Sequence, residues 1–250
     1  MRLLTWNVEG LNETRLGQRM EKLCLAMLVG IDLREALAGA PTPPMPDVIA
    51  LQEVVRVGHI GYFAPHLQAA GFRLWPPEPL ARTHYELIAV RAPWRIDRAE
   101  RRPFRESPLR REATIATLAH EGGGAGVTVV TAHLESLRGG KPARVAQLRE
   151  IDAWLRAIPG PAVFAGDTNL RDAEWYEAAA DLALRDAFLE AGSPPAARVT
   201  WRGAKGGAAR FDRVLIGPTV EVRDLRLRAS RASDHDGVEV VLGWPGAHGV

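Results

Sequence analysis

Cysteine and lysine are both scarce in this chain of 250 residues. Cys24 is the single cysteine, so the chain cannot form an internal disulfide or a zinc site built from several thiolates. Its apolar neighbours predict a thiol packed in the core rather than a reactive one. Lysine occurs only at Lys22, Lys141 and Lys205, so arginine supplies nearly all the positive charge.

Long apolar runs are also missing. The longest, at 23–31, contains a glycine and is too short to span a bilayer. The opening residues MRLLTWN do not have the apolar core of a secretory signal. We therefore expect a soluble, cytoplasmic protein that does not act in a membrane.

Several motifs of common enzyme classes are absent from the sequence. There is no HExxH zinc motif, no Gly-x-Ser-x-Gly nucleophile elbow and no GxxxxGK[ST] phosphate-binding loop. Hydrophobic residues make up 46% and charged residues 25%, as in ordinary globular proteins. The function must therefore be sought in residues that are dispersed along the chain.

Arginines are crowded into one segment, and two interpretations remain open for it. The first is a surface that binds phosphate, and the second is a set of side chains that are paired or solvated on exposed strands. Acidic residues within the segment are compatible with the second. The arginines are Arg91, Arg95, Arg98, Arg101, Arg102, Arg105, Arg110 and Arg111.

The pattern of apolar residues predicts more strands than helices. Strands are predicted at 2–7, 48–53, 87–90, 113–119, 127–133, 162–165, 211–216, 220–227 and 238–242. Helices are predicted at 12–38, 60–70 and 142–158, and the proline-rich stretch 41–46 would end the first. Because no linker divides the chain, we expect one catalytic domain over residues 1–250, in which helices flank a sandwich of mixed sheets.

Polar residues stand at the tips of these apolar strands. Each could be a turn residue or a solvated rim residue, but together they favour a site built where strands end. Their oxygen atoms suit a hard cation such as Mg²⁺ or Mn²⁺, and the imidazoles suit a phosphoryl group. The set therefore indicates metal-assisted hydrolysis of a phosphate ester. Its members are Asn7, Glu53, His133, Ser136, Asp167, Asn169, Asp212, Asp234 and His235.

The motifs TWN, LQEV, TAHLES, GDTN, FDRV and SDH, in this order, resemble the endonuclease/exonuclease/phosphatase superfamily. The resemblance implies an α/β fold: a four-layer α/β/β/α sandwich of two mixed sheets flanked by helices. HLES, ARVAQL, GDTNLRD, TW and RFDR look more narrowly like the tyrosyl-DNA phosphodiesterases that act on 5′ ends. That branch implies a metal-dependent phosphodiesterase for DNA repair, with Mg²⁺ as cofactor and Mn²⁺ as a substitute.

The resemblance also implies roles for the residues around the metal and the phosphate. Glu53 and Asn7 would hold the metal, with Asp234 nearby, and Asp167 would deprotonate the attacking water. Asp212 would fix the tautomer of His235. Asn169 and His235 would hold the phosphoryl oxygens, and His133 and Ser136 would contact the scissile phosphate.

Residues around the substrate are implied in the same way. Arg171 would reach the DNA backbone, and Trp201 would stack on a terminal nucleotide unless it is a core residue. Glu9 replaces the Asp of that branch and Asp236 replaces an aromatic residue, so both positions depart from the pattern. Asp172 is interpreted as the cap of a following helix.

The expected partner is a DNA 5′ end that carries a phosphoester adduct, and we expect a monomer without a protein partner. A general Mg²⁺-dependent nuclease or phosphatase, acting on other nucleic-acid or small phosphoester substrates, is the alternative. Lipid or inositol phosphates are a further substrate class, although the sequence shows no apolar surface hairpin. A binding module without chemistry would lack some of the polar residues, and none is missing.

Overall fold

The computed structural model describes residues 1–30, 39, 42–137 and 139–247. These residues form two six-stranded sheets and one short hairpin. The strands are β1 (Arg2–Asn7), β2 (Val48–Val54), β3 (Phe72–Trp75), β4 (Tyr85–Arg91), β5 (Trp94–Pro103), β6 (Glu112–His120), β7 (Val127–Ala132), β8 (Ala162–Asp167), β9 (Arg185–Asp186), β10 (Trp201–Arg202), β11 (Ala208–Ala209), β12 (Asp212–Ile216), β13 (Glu221–Arg228) and β14 (Gly237–Gly243).

Helical segments connect these strands. They are α1 (Leu16–Leu28), α2 (Arg56–Gly58, the π-helical turn His59–Phe63 and Ala64–Ala69), α3 (Lys141–Ala157), α4 (Asp172–Ala179) and α5 (Ala187–Glu190). Buried residues recur at helical spacing in α1 and α3, so each helix lays one apolar face on a sheet.

Both sheets are mixed. The first has the order β13-β14-β1-β2-β4-β3 and the second has the order β5-β6-β7-β8-β12-β9. β1 runs parallel to β2, and β7 runs parallel to β8, while the other pairs are antiparallel. The prediction of two mixed sheets is therefore confirmed.

The apolar side chains divide into three layers of core. Between the sheets, residues such as Leu3 and Val48 of the first pack with Val129 and Val163 of the second. Outside the first sheet, a second cluster joins its strands to α1 and α2. Outside the second sheet, a third cluster joins its strands to α3 and α4. The result is the expected four-layer α/β/β/α sandwich.

Five strands and the extent of one helix differ from the prediction. β3 and β5 were not predicted, and both lie at sheet edges; the two-residue strands β9, β10 and β11 were not predicted either. In β5 exposed charged residues interrupt the apolar alternation, which hides an edge strand from a hydrophobicity pattern. The predicted helix 12–38 is observed as Leu16–Leu28, and its part at 31–38 lies outside the described residues.

Cys24 is fully buried in the cluster under α1, as its apolar neighbours predict. Burial raises the pKa of its thiol to about 12, so the reactive thiolate is scarce at neutral pH. We expect the native protein to resist a disulfide-exchange reagent such as dithionitrobenzoate at pH 8, and the unfolded protein to react with one equivalent. Rapid reaction of the native protein would contradict this burial.

Candidate active site

Strand directions bring the predicted residues to one edge of the sandwich. Asn7 lies at the end of β1 beside the end of its parallel neighbour β2, which carries Glu53. In the other sheet, His133 follows β7 and forms a parallel bridge with Asp167 at the end of β8. β12 runs in the opposite direction, so its first residue, Asp212, pairs with Asp167. The register of both sheets thus assembles the cluster.

Asp167 occupies the centre of this cluster and is 1% exposed. Its Oδ2 accepts a hydrogen bond from Asn7 Nδ2 at 2.9 Å, and it lies 3.4 Å from His133 Nε2 and 3.8 Å from His235 Nε2. Burial opposes ionisation, but the two imidazoles and the Asn7 amide outweigh it and hold the pKa of Asp167 below its ordinary value. Asp167 is therefore an ionised carboxylate at neutral pH.

Several residues around the cluster adopt left-handed backbone conformations. Glu53 has φ +57°, Asn169 has φ +52° and Glu9 has φ +51°. Such angles are unfavourable for residues other than glycine, and they occur often at functional sites. Gly10 has to be glycine because a Cβ there would lie 2.1 Å from the carbonyl oxygen of Glu53. Unfavourable backbone conformations thus occur at the positions from which these polar side chains project.

His235 is held as a cation by the acids around it. Its Nδ1 lies 2.8 Å from Asp212 Oδ2, which leaves Nε2 facing Asp167 and Asp234. Burial alone would lower the pKa of His235, but the charges of Asp212, Asp167 and Asp234 raise it to about 10. The predicted contact between Asp212 and His235 is therefore present in the structure.

His133 is neutral, in contrast to His235. Burial lowers the pKa of His133 to about 3, and the charge of Arg111 adds to the effect while Asp167 opposes it. Its Nδ1 accepts from Arg111 Nη1 at 3.1 Å, which leaves the Nε2 hydrogen for Asp167. The two imidazoles of the site therefore carry different charges, which gives them different roles.

Arg111 and His84 are functional candidates that the sequence did not single out. Arg111 Nη1 donates to His84 Nε2 at 2.7 Å as well as to His133, and Nη2 donates to Ser136 Oγ at 3.4 Å. Burial and the charge of Arg111 lower the pKa of His84 to about 4. Arg111 is 8% exposed and forms no ion pair among the described residues. Its positive charge remains available to an anion at the site.

The other arginines of the crowded segment support the structural interpretation. Most of them pair with acids. The pairs of Arg95 and Arg98 are solvent-exposed and contribute little energy, whereas Glu112, the partner of Arg101, is buried. The pairs are Arg91 with Asp47, Arg95 with Asp97, Arg98 and Arg102 with Glu100, and Arg101 with Glu112. Arg111 differs from these neighbouring arginines because the fold buries it beside His84 and His133. Its local sequence does not reveal this difference.

The residues present fit a divalent cation. Glu53 Oε1 lies 3.4 Å from Asn7 Nδ2, and burial followed by the charge of Asp167 raises the pKa of Glu53. A cation would offset this repulsion between buried carboxylates. In addition, carboxylate oxygens of Asp167 and Asp212 lie within 4.8 Å of each other, and Asp212 Oδ1 has no hydrogen-bond partner among the described residues. The site is therefore consistent with divalent metal binding.

The predicted substrate-binding residues surround the cluster. Trp201 Nε1 donates to Asp234 Oδ2 at 2.7 Å, and its ring centroid lies 5.1 Å from that of Phe211. The Arg171 guanidinium lies 5.7 Å from the centroid of the Phe211 ring. Trp201 is half-buried and reaches the cluster, so it is not simply a core residue.

Glu9, Asp236 and Asp172 are engaged in ion pairs or hydrogen bonds. Glu9 Oε2 accepts from Arg19 and from the backbone N–H of Asp234, and Asp236 accepts from Arg202. Asp172 is structural, as predicted, but its role as a helix cap was wrong. It is the first residue of α4, and its carboxylate accepts from Arg210 and Arg213, because two buried guanidinium groups need acidic partners.

The fold and the site together define a class of protein: four-layer α/β/β/α sandwiches that carry carboxylates and imidazoles at an edge shared by both sheets. The model of the Endonuclease/Exonuclease/phosphatase family matches residues 4–235. The chain belongs to this family.

Relatives within the family include tyrosyl-DNA phosphodiesterases from several animals. The chain is 24% identical over 233 residues to Tyrosyl-DNA phosphodiesterase 2 of Xenopus laevis, covering 87% of this chain and 56% of that protein. It is 29% identical over 237 residues to the 5′-tyrosyl-DNA phosphodiesterase of Caenorhabditis elegans, covering 88% and 59%. The chain thus spans less than two thirds of each relative.

A crystal structure of humanized D. rerio TDP2 with 14 mutations superposes with a TM-score of 0.79 at 25% identity, covering 97% of this chain and 98% of that one. The similarity therefore extends over nearly the whole chain. No helix among the described residues is long and apolar enough to cross a bilayer.

Proposed function

We propose that the chain is a Mg²⁺-dependent phosphodiesterase that hydrolyses phosphotyrosyl or related adducts from DNA 5′ ends. One observation carries the proposal: a buried, ionised Asp167 is surrounded by a charged His235, a neutral His133 and the amide of Asn7. The activity for which these relatives are named favours this substrate over other phosphate esters.

The chemistry follows from the protonation states. Asp167 accepts a proton from the water whose oxygen forms the new bond to phosphorus. The bond between phosphorus and the tyrosyl oxygen breaks, and tyrosine leaves as a phenolate that takes a proton from the solvent. His235 Nε2 donates to a phosphoryl oxygen as a cation, and Asn169 holds another, so charge that develops on the phosphoryl group is stabilised.

Glu53, Asn7 and Asp234 would hold the metal. When bound, Mg²⁺ offsets negative charge on the phosphoryl oxygens, and Mn²⁺ can substitute. His133 and Ser136 would contact the scissile phosphate together with Arg111, which touches both side chains. Trp201 would stack on the terminal base, and Arg171 would contact the DNA backbone. We propose that the protein acts as a monomer in the cytoplasm.

A substrate panel tests this function. We expect the protein to hydrolyse a 5′-phosphotyrosyl oligonucleotide with kcat/KM at least about tenfold above that for a 3′ adduct or an abasic duplex, which corresponds to about 1.4 kcal/mol. The reactions are measured with Mg²⁺, with Mn²⁺ and with excess chelator, and chelator should abolish turnover. Glu53→Gln should weaken the apparent affinity for Mg²⁺, because it removes a negative ligand.

The panel also separates the two enzyme hypotheses. If the abasic duplex or a small phosphate ester were by far the best substrate, the chain would be a general nuclease or phosphatase of the same family. Full activity in excess chelator would instead contradict the metal-dependent mechanism.

A further inference from the structure

A groove of about 410 Å³ runs along the outside of α1 and reaches the candidate active site. We call it the α1 groove and define it by Arg15, Lys22, Arg202, Arg231, Glu9 and Asp234. Asp234 connects the groove to the catalytic cluster, because its Oδ1 lies 3.8 Å from His235 Nε2. A substrate held at His235 therefore has direct access to the groove.

The groove carries three cations that have no acidic partner among the described residues. Arg15, Lys22 and Arg231 are exposed and form no ion pair among the described residues. Of the acids that line the groove, Glu9 pairs with Arg19 at 2.8 Å, and Asp234 faces the cationic His235 at 3.8 Å. Three cations in one groove, unpaired in the part of the chain that the structure describes, indicate a ligand with several negative charges.

The lining also indicates how such a ligand is recognised. None of the residues that line the α1 groove is aromatic, so the groove offers no surface on which bases could stack. Trp201 stands at its edge and is followed directly by Arg202, a lining residue. A strand whose first base stacks on Trp201 would pass Arg202 and then continue along the groove.

We propose that the α1 groove binds the sugar-phosphate backbone of the substrate strand beyond its 5′-terminal nucleotide. Arg15, Lys22 and Arg231 contact successive phosphates, and recognition there does not depend on base sequence. This inference rests on the proposed function, because it assigns the groove to the same DNA strand. An acidic peptide attached to the leaving tyrosine is the competing occupant, and the experiments below distinguish the two.

Binding of the product strand provides the first test, and it does not require turnover. The variant Arg15→Gln/Lys22→Gln/Arg231→Gln is compared with the wild type for a 5′-phosphorylated single-stranded decamer, by fluorescence anisotropy in excess chelator over a range of NaCl concentrations. Each phosphate contact to a single strand contributes about 0.7 to the slope of log K against log salt. We expect the slope to decrease by about 2 in the groove variant.

A matched control removes the same charge elsewhere. Arg73→Gln/Arg198→Gln/Arg223→Gln replaces three exposed arginines, none of which lines the groove. This variant should keep the wild-type salt slope. If both variants changed the slope equally, or if neither did, the groove would not bind the strand and the inference would be overturned.

Hydrolysis of substrates of different length provides the second test. The 4-nitrophenyl ester of thymidine 5′-monophosphate has no phosphate beyond the terminal nucleotide, so its kcat/KM should be equal in the wild type and the groove variant. For a 5′-phosphotyrosyl decamer, KM should rise about tenfold or more in the groove variant while kcat stays near the wild-type value. A change in KM without a change in kcat would show that the groove binds the part of the strand beyond the terminal nucleotide.

The possible outcomes distinguish a failure of the inference about the groove from a failure of the proposed function. If the wild type hydrolysed neither substrate, the proposed function would fail, and the anisotropy experiment would still decide the groove. If the groove variant bound the decamer normally but lost activity only on an adduct that bears an acidic peptide, the groove would hold the leaving peptide. That result would overturn the inference while the phosphodiesterase activity stood.

Discussion

Asp167→Asn is expected to lower kcat on a 5′-phosphotyrosyl oligonucleotide by about 10²–10⁴-fold, the range for loss of a positioned general base. An amide cannot accept the proton of the attacking water at neutral pH. The loss of the Asp167 charge also reduces the interaction that keeps His235 protonated. Both effects act on turnover, so the measurement is steady-state kcat in saturating Mg²⁺.

The protein should still fold with this substitution, with a moderate decrease in the free energy of unfolding. Asp167 Oδ1 accepts from the backbone N–H of Asn169 at 2.9 Å and Oδ2 accepts from Asn7 at 2.9 Å, so an amide must lose one of the two bonds. A lost buried hydrogen bond costs about 1–3 kcal/mol. Urea unfolding and binding of the 5′-phosphorylated product report on this cost separately from kcat.

A matched substitution gives the control for this experiment. Asp181→Asn makes the same chemical change in a side chain that is 70% exposed and whose one ion pair among the described residues is with Arg149. It should leave kcat and stability unchanged. Turnover near the wild-type level in Asp167→Asn would remove Asp167 from its role as the base.

The sequence predicted the centre of the site because its residues follow recognisable strands. Asn7, Glu53 and Asp167 each stand at the tip of an apolar run, and parallel pairing of those runs places such tips at one edge. Asp212 was predicted at the start of its strand, and antiparallel pairing to β8 brings it to the same edge. The local sequence pattern was sufficient to predict these residues, because the pairing register of the strands places their ends at the same edge.

Arg111 and His84 could not be found in the same way. Arg111 directly precedes β6 and His84 directly precedes β4, and Arg111 resembles seven other arginines in its segment. Its burial and its contacts with His84 and His133 result from the packing of the two sheets. The charge of the α1 groove is also hidden in the sequence, because Arg15 and Arg231 meet only in the folded chain.

Asp212→Asn is the second substitution with a large expected effect, because it acts on the protonation of His235. Asp212 is the largest source of the positive shift that raises the pKa of His235 to about 10. Without that charge the pKa should move towards the ordinary value of about 6.5. We expect kcat to fall about 10²–10³-fold at pH 8, as for the loss of one charged donor to the phosphoryl group.

The pH dependence distinguishes this effect from simple misfolding. In the wild type, the alkaline limb of the profile of kcat/KM against pH should lie near pH 10, and in Asp212→Asn it should move to lower pH. Asp224→Asn, an exposed substitution on β13, should leave the profile unchanged. An alkaline limb that stayed in place in Asp212→Asn would contradict the assignment of His235 as the charged donor.

The free energy of unfolding should also depend on the protonation of His235. Because the pKa of His235 is raised in the folded protein, its contribution to the free energy of unfolding is complete below pH of about 6.5 and is lost as the pH rises to about 10. Asp212→Asn should therefore flatten the decline in urea midpoint between pH 7 and pH 10, although the variant is less stable at pH 7. If the decline were as steep in the variant as in the wild type, another group would cause it. The paired change in kinetics and stability then identifies the contact between Asp212 and His235 as the origin of both.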